Sequence, residues 1–250
     1  MPKHNCQRGY AERRAVLPSK ESRLARHLNH DLEEAYHSIL TLSGQVEEMI
    51  NKALRALMAR QHSVASEVIA QDEEIDRQEV RIEEECLKML ALHQPVAADL
   101  RRLTTMMKIN NDLERIADLA CNVAERATDL IEYPSFPIPE MLRDMAADAN
   151  AMVREGLDAF VNLDVELAYQ VIHKDDSVDS MNVRVINEVT NLMKENADWV
   201  KPAIYSFSAS RAIEQIADHA VNVAEDVIYM VNGVIVRHCH NDPKLRSLQS

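Results

Sequence analysis

Residues 114–125 read Glu-Arg-Ile-Ala-Asp-Leu-Ala-Cys-Asn-Val-Ala-Glu, and residues 214–225 read Glu-Gln-Ile-Ala-Asp-His-Ala-Val-Asn-Val-Ala-Glu. Nine of the twelve positions are identical at an offset of 100 residues, which marks an internal duplication. Each copy has helical periodicity. Leu113, Ala117, Ala120 and Ala124 form one seam, matched by Ile213, Ala217, Ala220 and Ala224. Alanine at such points lets helix backbones approach closely and needs no functional explanation.

The elements around each copy recur as well. A first helix is predicted over Leu24 to His62, with Leu28, Leu32, Ile39, Leu42, Val46, Ile50, Leu54 and Leu57 three or four residues apart. A second covers Ser63 to His93, with Val68, Ile75, Ile82 and Met89 spaced by heptads. Gln94-Pro95 ends it, and Pro95 suits the first turn of a third helix reaching Glu132. Tyr133 to Pro139 holds three prolines in seven residues and reads as a linker. Beyond it, helices are predicted over Glu140–Leu163, Val165–Ala197 and Pro202–Val236. The expected fold is all-α: two tandem repeats of a three-helix bundle, over 27–133 and 140–236, joined by residues 134–139. The repeats are expected to stand as separate bundles.

Composition agrees. The 250 residues include only 4 glycines, against a usual share of roughly 7%, too few for the turns of a β-rich or Rossmann-type fold. The formal charge of −13 excludes a general nucleic-acid binder, which must displace counterions from phosphate. Residues 1–26 carry seven basic side chains against Glu12 and Glu21, a net of +5, which leaves −18 for the rest. This basic tail is expected to be disordered, and residues 237–250 are read as a C-terminal tail. Arg13-Arg14 is followed by no apolar stretch, so neither a secretory nor a twin-arginine signal is expected. No run of 18 apolar residues occurs. Cys6, Cys86, Cys121 and Cys239 lie far apart with no C-x-x-C pair, a pattern that points to free thiols and a cytoplasmic location. His238-Cys239-His240 is read as a scattered polar tail rather than a metal tract.

The polar residues of the duplicated helix carry the functional signal. At 100° per residue, Asp118, Asn122 and Glu125 lie 40°, 80° and 20° from Glu114, in one stripe about 120° from the alanine seam. Glu214, Asp218, Asn222 and Glu225 repeat it. The second helix adds Asp72, Asp76, Glu79 and Glu83, and the fifth adds Asp175, Asp176 and Asp179. Like charges at i, i+4 cost about 0.2–0.5 kcal/mol per pair, so a penalty kept in both copies suggests that a cation sits over them. Oxygen-only donors suit hard or borderline ions: iron, manganese, magnesium or zinc. Against this stands a solvated acidic face whose charges Arg77, Lys88 and Arg115 satisfy.

Asp72-x-x-x-Asp76, Glu84-Glu85-Cys86-Leu87, Gln94-Pro95-Val96-Ala97-Ala98-Asp99-Leu100-Arg101 and Leu113-Glu114-Arg115-Ile116-x-Asp118 together resemble the PhoU family of phosphate-signalling regulators, over Leu28 to Val236. The resemblance implies iron or zinc clusters, with magnesium or manganese as further options, on Asp72, Asp76, Glu114 and Asp118. In the second repeat the same role falls to Asp175, Asp179, Glu214 and Asp218. It also implies a homodimer that down-regulates phosphate uptake and the phosphate regulon. The implied partners are the ATPase subunit of an ABC phosphate transporter and a phosphate-sensing histidine kinase. Ala117 and Ala217 stand where the family commonly has glycine, and Gln215 replaces the arginine kept as Arg115, so the second site is expected to differ in charge.

Two other classes compete with this non-enzymatic regulator. One is a plain helical scaffold without metal. The other is a di-iron carboxylate or ferritin-like protein, which needs two E-x-x-H motifs where only Glu34-Ala-Tyr-His37 occurs. No Gly-rich phosphate loop and no catalytic group can be assigned.

Overall fold

The computed structural model describes the backbone of residues 20–237 and the side chains of residues 27–237. Six long helices account for almost all of it: α1 (Lys20–Ala59), α2 (His62–His93), α3 (Ala97–Ile131), α4 (Met141–Asn162), α5 (Val165–Glu195) and α6 (Val200–Asn232). A single 3₁₀ turn, Ala197–Trp199, precedes α6, and no strand occurs among the described residues. The first helix thus starts inside the segment read as a tail. Residues 1–19 and 238–250, with Cys6 and the His238-Cys239-His240 tract, lie outside the described residues.

The helix ends depart from the sequence reading for local reasons. Gln94 caps α2 in the left-handed region (φ 46) and Val96 is extended, so α3 begins at Ala97 rather than at Pro95. Asn196 accepts a hydrogen bond from the Asp198 amide (3.0 Å) and starts the 3₁₀ turn, which lets α6 begin at Val200. Pro202 then falls in the first helical turn, where an amide has no partner in any case. Gly233 takes φ 70 and gives its N–H to the Tyr229 carbonyl (2.8 Å), ending α6 four residues before the predicted limit. Val236, expected on the helix, instead folds back and is buried.

The heptad residues Val68, Ile75, Ile82 and Met89 are buried, as are all six seam alanines. Close approach is visible directly at Gly156 of α4, where an added Cβ would stand 3.4 Å from the Ala220 carbonyl oxygen of α6. Within each repeat the third helix packs on both others.

The two repeats are not separate bundles. The most extensive contact in the molecule is α3 against α6, and α1 also meets α4. Tyr36 of α1 and Phe160 of α4 place their rings 4.9 Å apart, and Asn150 donates to Asn51 (3.0 Å). The central helices run antiparallel. Thr105 meets Asp226, Asp112 meets His219, and Arg126 lies over the Tyr205 ring, the pattern of a pseudo-two-fold axis near residues 115–116 and 215–216. The chemistry differs on the two sides of that axis. Asp112 accepts from His219 Nδ1 at 2.8 Å, whereas the equivalent positions are Ala212 and Leu119. Asp226, almost fully buried, is held by Lys108 and Arg237 at 2.9 Å each, whereas its equivalent Arg126 makes a cation–π contact of 5.7 Å.

The proline-rich linker is fastened rather than loose. Arg60 donates to the Tyr133 carbonyl (2.9 Å) and to that of Phe136, whose buried ring stands edge-on to Trp199 at 6.1 Å. Both carbonyls can turn to water if the guanidinium is removed. We therefore expect Arg60→Ala to lower stability by about 1 kcal/mol. Urea unfolding should show a lower midpoint at unchanged slope; an unchanged midpoint would mean that the linker holds itself.

Candidate functional site

Burial of Ile75 and Ile82 in the heptad seam turns the acidic face of α2 towards the polar stripe of α3. One carboxylate oxygen each from Asp72, Asp76 and Asp118 lie within 4.8 Å of one another. Glu114 is coupled to the group: burial pushes its carboxyl upward, Asp118, Asp76 and Glu79 push it further, and Arg115 pulls it back. Asp72 is likewise raised, chiefly by burial, with Asp76, Asp118 and Glu125 adding to it. The Cys121 thiol opposes that shift by donating to Asp72 Oδ1 at 3.3 Å. Three of the four residues implied for the first repeat converge, and Glu114 lies close enough to feel their charge.

The second repeat gathers its acids between α5 and α6, but among the described residues no three of them converge as Asp72, Asp76 and Asp118 do. Asp175 is pushed up to about 7, first by burial and then by Asp179, Asp218, Asp176 and Glu214. Glu214 and Asp218 are also raised, again with burial as the main cause. Asp175 Oδ1 and Glu214 Oε2 are buried with no hydrogen-bond partner. A buried acceptor left unpaired costs about 1–3 kcal/mol, so these two oxygens are poised to accept a proton or a cation.

Basic side chains cover the clusters only in part. Arg77 pairs with Glu73 and Glu74, and Lys88 with Glu84, none of them cluster members. Arg115 does reach Glu114 (3.3 Å) and Asp118 (3.2 Å). The second cluster is not short of a guanidinium, contrary to the reading of Gln215. Arg211, one turn earlier on α6, bonds Glu214 at 2.6 Å, while the equivalent position in α3 is Asn111.

A cavity of ≈ 670 Å³ lies between the repeats, lined by Glu83 and Asp112 from one side and Asp175, Asp218 and Asp226 from the other, with Lys108 at its edge. It brings the second cluster next to the α3–α6 seam. Cys86 is fully buried and its thiol is pushed up to about 12, which leaves it inert. Glu34 and His37 are exposed on α1, where Glu34 pairs with His30. A di-iron bundle needs its E-x-x-H residues facing inward, so that reading loses its only motif.

The donor sets fit a hard or borderline cation. They are oxygen-based and only partly neutralised by arginine; the first converges on Asp72, Asp76 and Asp118, and the second holds unpaired buried acceptors on Asp175 and Glu214.

A family model described as the PhoU domain matches residues 39–127 and 142–227, one match on each repeat. The chain belongs to the PhoU family. A phosphate-specific transport system accessory protein PhoU homolog of Pseudomonas aeruginosa is 37% identical over 216 residues, 86% of this chain and 89% of that protein. The homolog of Aquifex aeolicus is 40% identical over 210 residues, 84% and 95% of the two chains. Among solved structures, Pseudomonas aeruginosa PhoU superposes with a TM-score of 0.79 at 36% identity, covering 82% of this chain and 99% of that one. The phosphate transport system regulatory protein PhoU of Streptococcus pneumoniae gives the same TM-score at 27% identity, with 84% and 99% covered. The PhoU relatives are thus named as accessory or regulatory proteins, and no helix among the described residues is long and apolar enough to cross a membrane.

Sequence reasoning passed over three features here. Cys121 lies 20° from Glu114 on the helical wheel, on the side of the stripe away from Asp118, so its place was readable. Arg211 stands at i−3 from Glu214, a spacing that also signals a pair. The His219–Asp112 contact links helices 107 positions apart, and no local pattern announces it.

Proposed function

We propose that the chain is a non-enzymatic regulator of phosphate uptake, acting with a phosphate transport system and carrying cations on its two acidic clusters. In this reading it acts in the cytoplasm as a homodimer and restrains uptake and the phosphate-starvation response. It does so by contacting the transporter's ATPase subunit and a phosphate-sensing histidine kinase. Support comes from the names of the relatives and from exposed apolar residues at the α2–α3 turn. Leu92 and Val96, each 73% exposed, offer a partner apolar area that the fold does not use.

The metal part rests on the convergence of Asp72, Asp76 and Asp118 in the first repeat, with the unpaired buried oxygens of Asp175 and Glu214 in the second beside it. Asp72, Asp76, Glu114 and Asp118 would hold one centre, and Asp175, Asp179, Glu214 and Asp218 the other. A bound iron or zinc centre would supply the positive charge that offsets carboxylate repulsion and ties α2 to α3 and α5 to α6. The chain's own residues supply shape: the seam alanines fix helix spacing, and Arg115 and Arg211 limit the net charge of each site.

Glu114→Ala combined with Asp118→Ala tests this. The side chains lie off the alanine seam, so the variant should fold with unchanged or slightly higher metal-free stability. Bound transition metal should fall by about one site, and metal-dependent thermal stabilisation should shrink by mass action. In cells lacking the native copy, the variant should fail to hold a phosphate-starvation reporter low in high phosphate and should recover less ATPase and kinase on affinity capture. Full metal content in the double variant would make the carboxylates a solvated face and leave the scaffold reading.

A further inference from the structure

Helices α1 and α4 stop in the same way, 103 positions apart: Arg60 and Leu163 each take a left-handed backbone, with φ 52 and φ 54. What lies over the two stops differs. At the first, the Arg60 guanidinium holds the carbonyls of Tyr133 and Phe136, and the Phe136 ring is buried edge-on to Trp199. At the second, Leu163 lines a cavity of ≈ 630 Å³, with the buried side chains of Leu32, Met106, Phe160 and Met230 among its walls. Exposure records the contrast. Pro202 is buried and its equivalent Arg102 is exposed; Met58 and Arg60 are half-buried, while their equivalents Val161 and Leu163 are 41% and 44% exposed. The place that the linker fills in one repeat is open in the other.

The lining of the open site says what it would take. Arg102 has no ion pair or hydrogen bond among the described residues. It stands close enough to Tyr36 to draw that hydroxyl's pKa down against the upward push of burial. A guanidinium and a phenol hydroxyl thus meet above apolar walls, a pairing that suits a carboxylate carried beside a bulky apolar group. Glu33 on the α1 wall disfavours a second acid. We propose that the cavity at the end of α4 receives an extended segment of a partner protein, whose large apolar side chain enters as Phe136 enters at the other stop and whose neighbouring carboxylate meets Arg102. A peptide is the occupant because a peptide fills the matching place in the first repeat, ring inward and carbonyls turned to a guanidinium. Arginine at 102, where the second repeat has proline, adds the demand for an acid. This rests on the reading that the chain works through partners, and it supplies the surface and the side chains recognised.

The probes are end-blocked, fluorescein-labelled peptides of residues 133–139 carrying Ser135→Asp or Pro137→Asp, which place the acid before or after the ring. They are titrated against the full chain in chelator, with polarisation as the readout. At least one acidic peptide is expected to bind in the submillimolar range, more tightly than the unsubstituted sequence. Phe136→Ala in that peptide should weaken binding by roughly 10-fold or more, as loss of a buried aromatic anchor does. Arg102→Gln in the protein, at an exposed position, should leave the fold intact and remove the preference for the acid, a loss of roughly 10-fold. No binding by either acidic peptide, equal affinity for acidic and neutral peptides, or an affinity that Arg102→Gln leaves unchanged overturns the proposal. Peptides that bind only by dissociating a homodimer, seen in light scattering, give the cavity to a second copy and overturn it too. None of these results touches the reading beneath, which falls only if the wild-type chain captures neither the ATPase nor the kinase.

Discussion

Phe160→Ala is expected to cost about 3–5 kcal/mol, the range for emptying an aromatic site in a packed core. Phe160 is fully buried near the end of α4, and its ring lies 4.9 Å from that of Tyr36 on α1. The Tyr36 hydroxyl also reaches the Phe160 carbonyl at 3.5 Å. The substitution thus removes apolar burial and a ring pair at a point where the two repeats touch. For a body of this size 1 kcal/mol moves the melting temperature by about 2–4 °C, so a fall of roughly 6–20 °C should appear in a calorimetric scan. A single lowered transition would show that the repeats unfold together. Two transitions, with only the second repeat's lowered, would return the fold to two bundles on a linker.

Asp175 should make the metal-free protein lose stability as pH rises. Its carboxyl is pushed from an ordinary 3.8 up to about 7, so between those values the folded state holds a proton that the unfolded state releases. Stability is then greatest below about pH 4, falls through the window to about 7, and levels off above it. Burial is the main cause, and the charged groups facing it are Asp176, Asp179, Glu214 and Asp218, with Arg211 and His219 moderating the last two. Asp175→Asn mimics the protonated acid, so its advantage over the wild type should be near zero at pH 4 and largest by pH 8. The rise from 3.8 to about 7 sets a ceiling of about 4 kcal/mol, and solvent screening at a half-buried site reduces the expected gap to about 2 kcal/mol. Melting curves of both proteins in chelator across pH 4–8 measure it. A gap that does not grow with pH would place Asp175 in water. Adding metal above pH 7 should reverse the order, because only the wild type can offer that carboxylate.

Much of this was legible in the sequence. The 100-residue repeat gives the three-helix unit, and the heptad run Val68, Ile75, Ile82, Met89 gives the buried face of α2 and hence the outward side of Asp72 and Asp76. Periodicity reports a helix's faces but not which helix covers them. It could not tell that α3 packs on α6, or that Asp112 would find His219 across that seam. The stop of α2 at His93 was read correctly, but the start of α3 and the end of α6 were misread where backbone geometry, not composition, decided: Val96 is extended before α3, and Gly233 stops α6 by entering the left-handed region. Cys121 was missed for a different reason. Its spacing was visible, but a cysteine counted among scattered thiols is not weighed as part of an acidic stripe.

The pseudo-two-fold seam between α3 and α6 changes what each residue on it must do. In an isologous dimer of identical subunits, every interface residue is placed twice, and a surface must be complementary to itself. Asp112 opposite a histidine would then oblige a second, identical pair across the axis. Here that second place holds Ala212 and Leu119, and the Asp226 position on the other side is an arginine. With both halves in one polypeptide, they need only fit each other, a weaker demand than self-complementarity. Each half is free to change charge at its end of the seam, or a hydrogen-bond donor as between Cys121 and Val221, without imposing the same change on its twin.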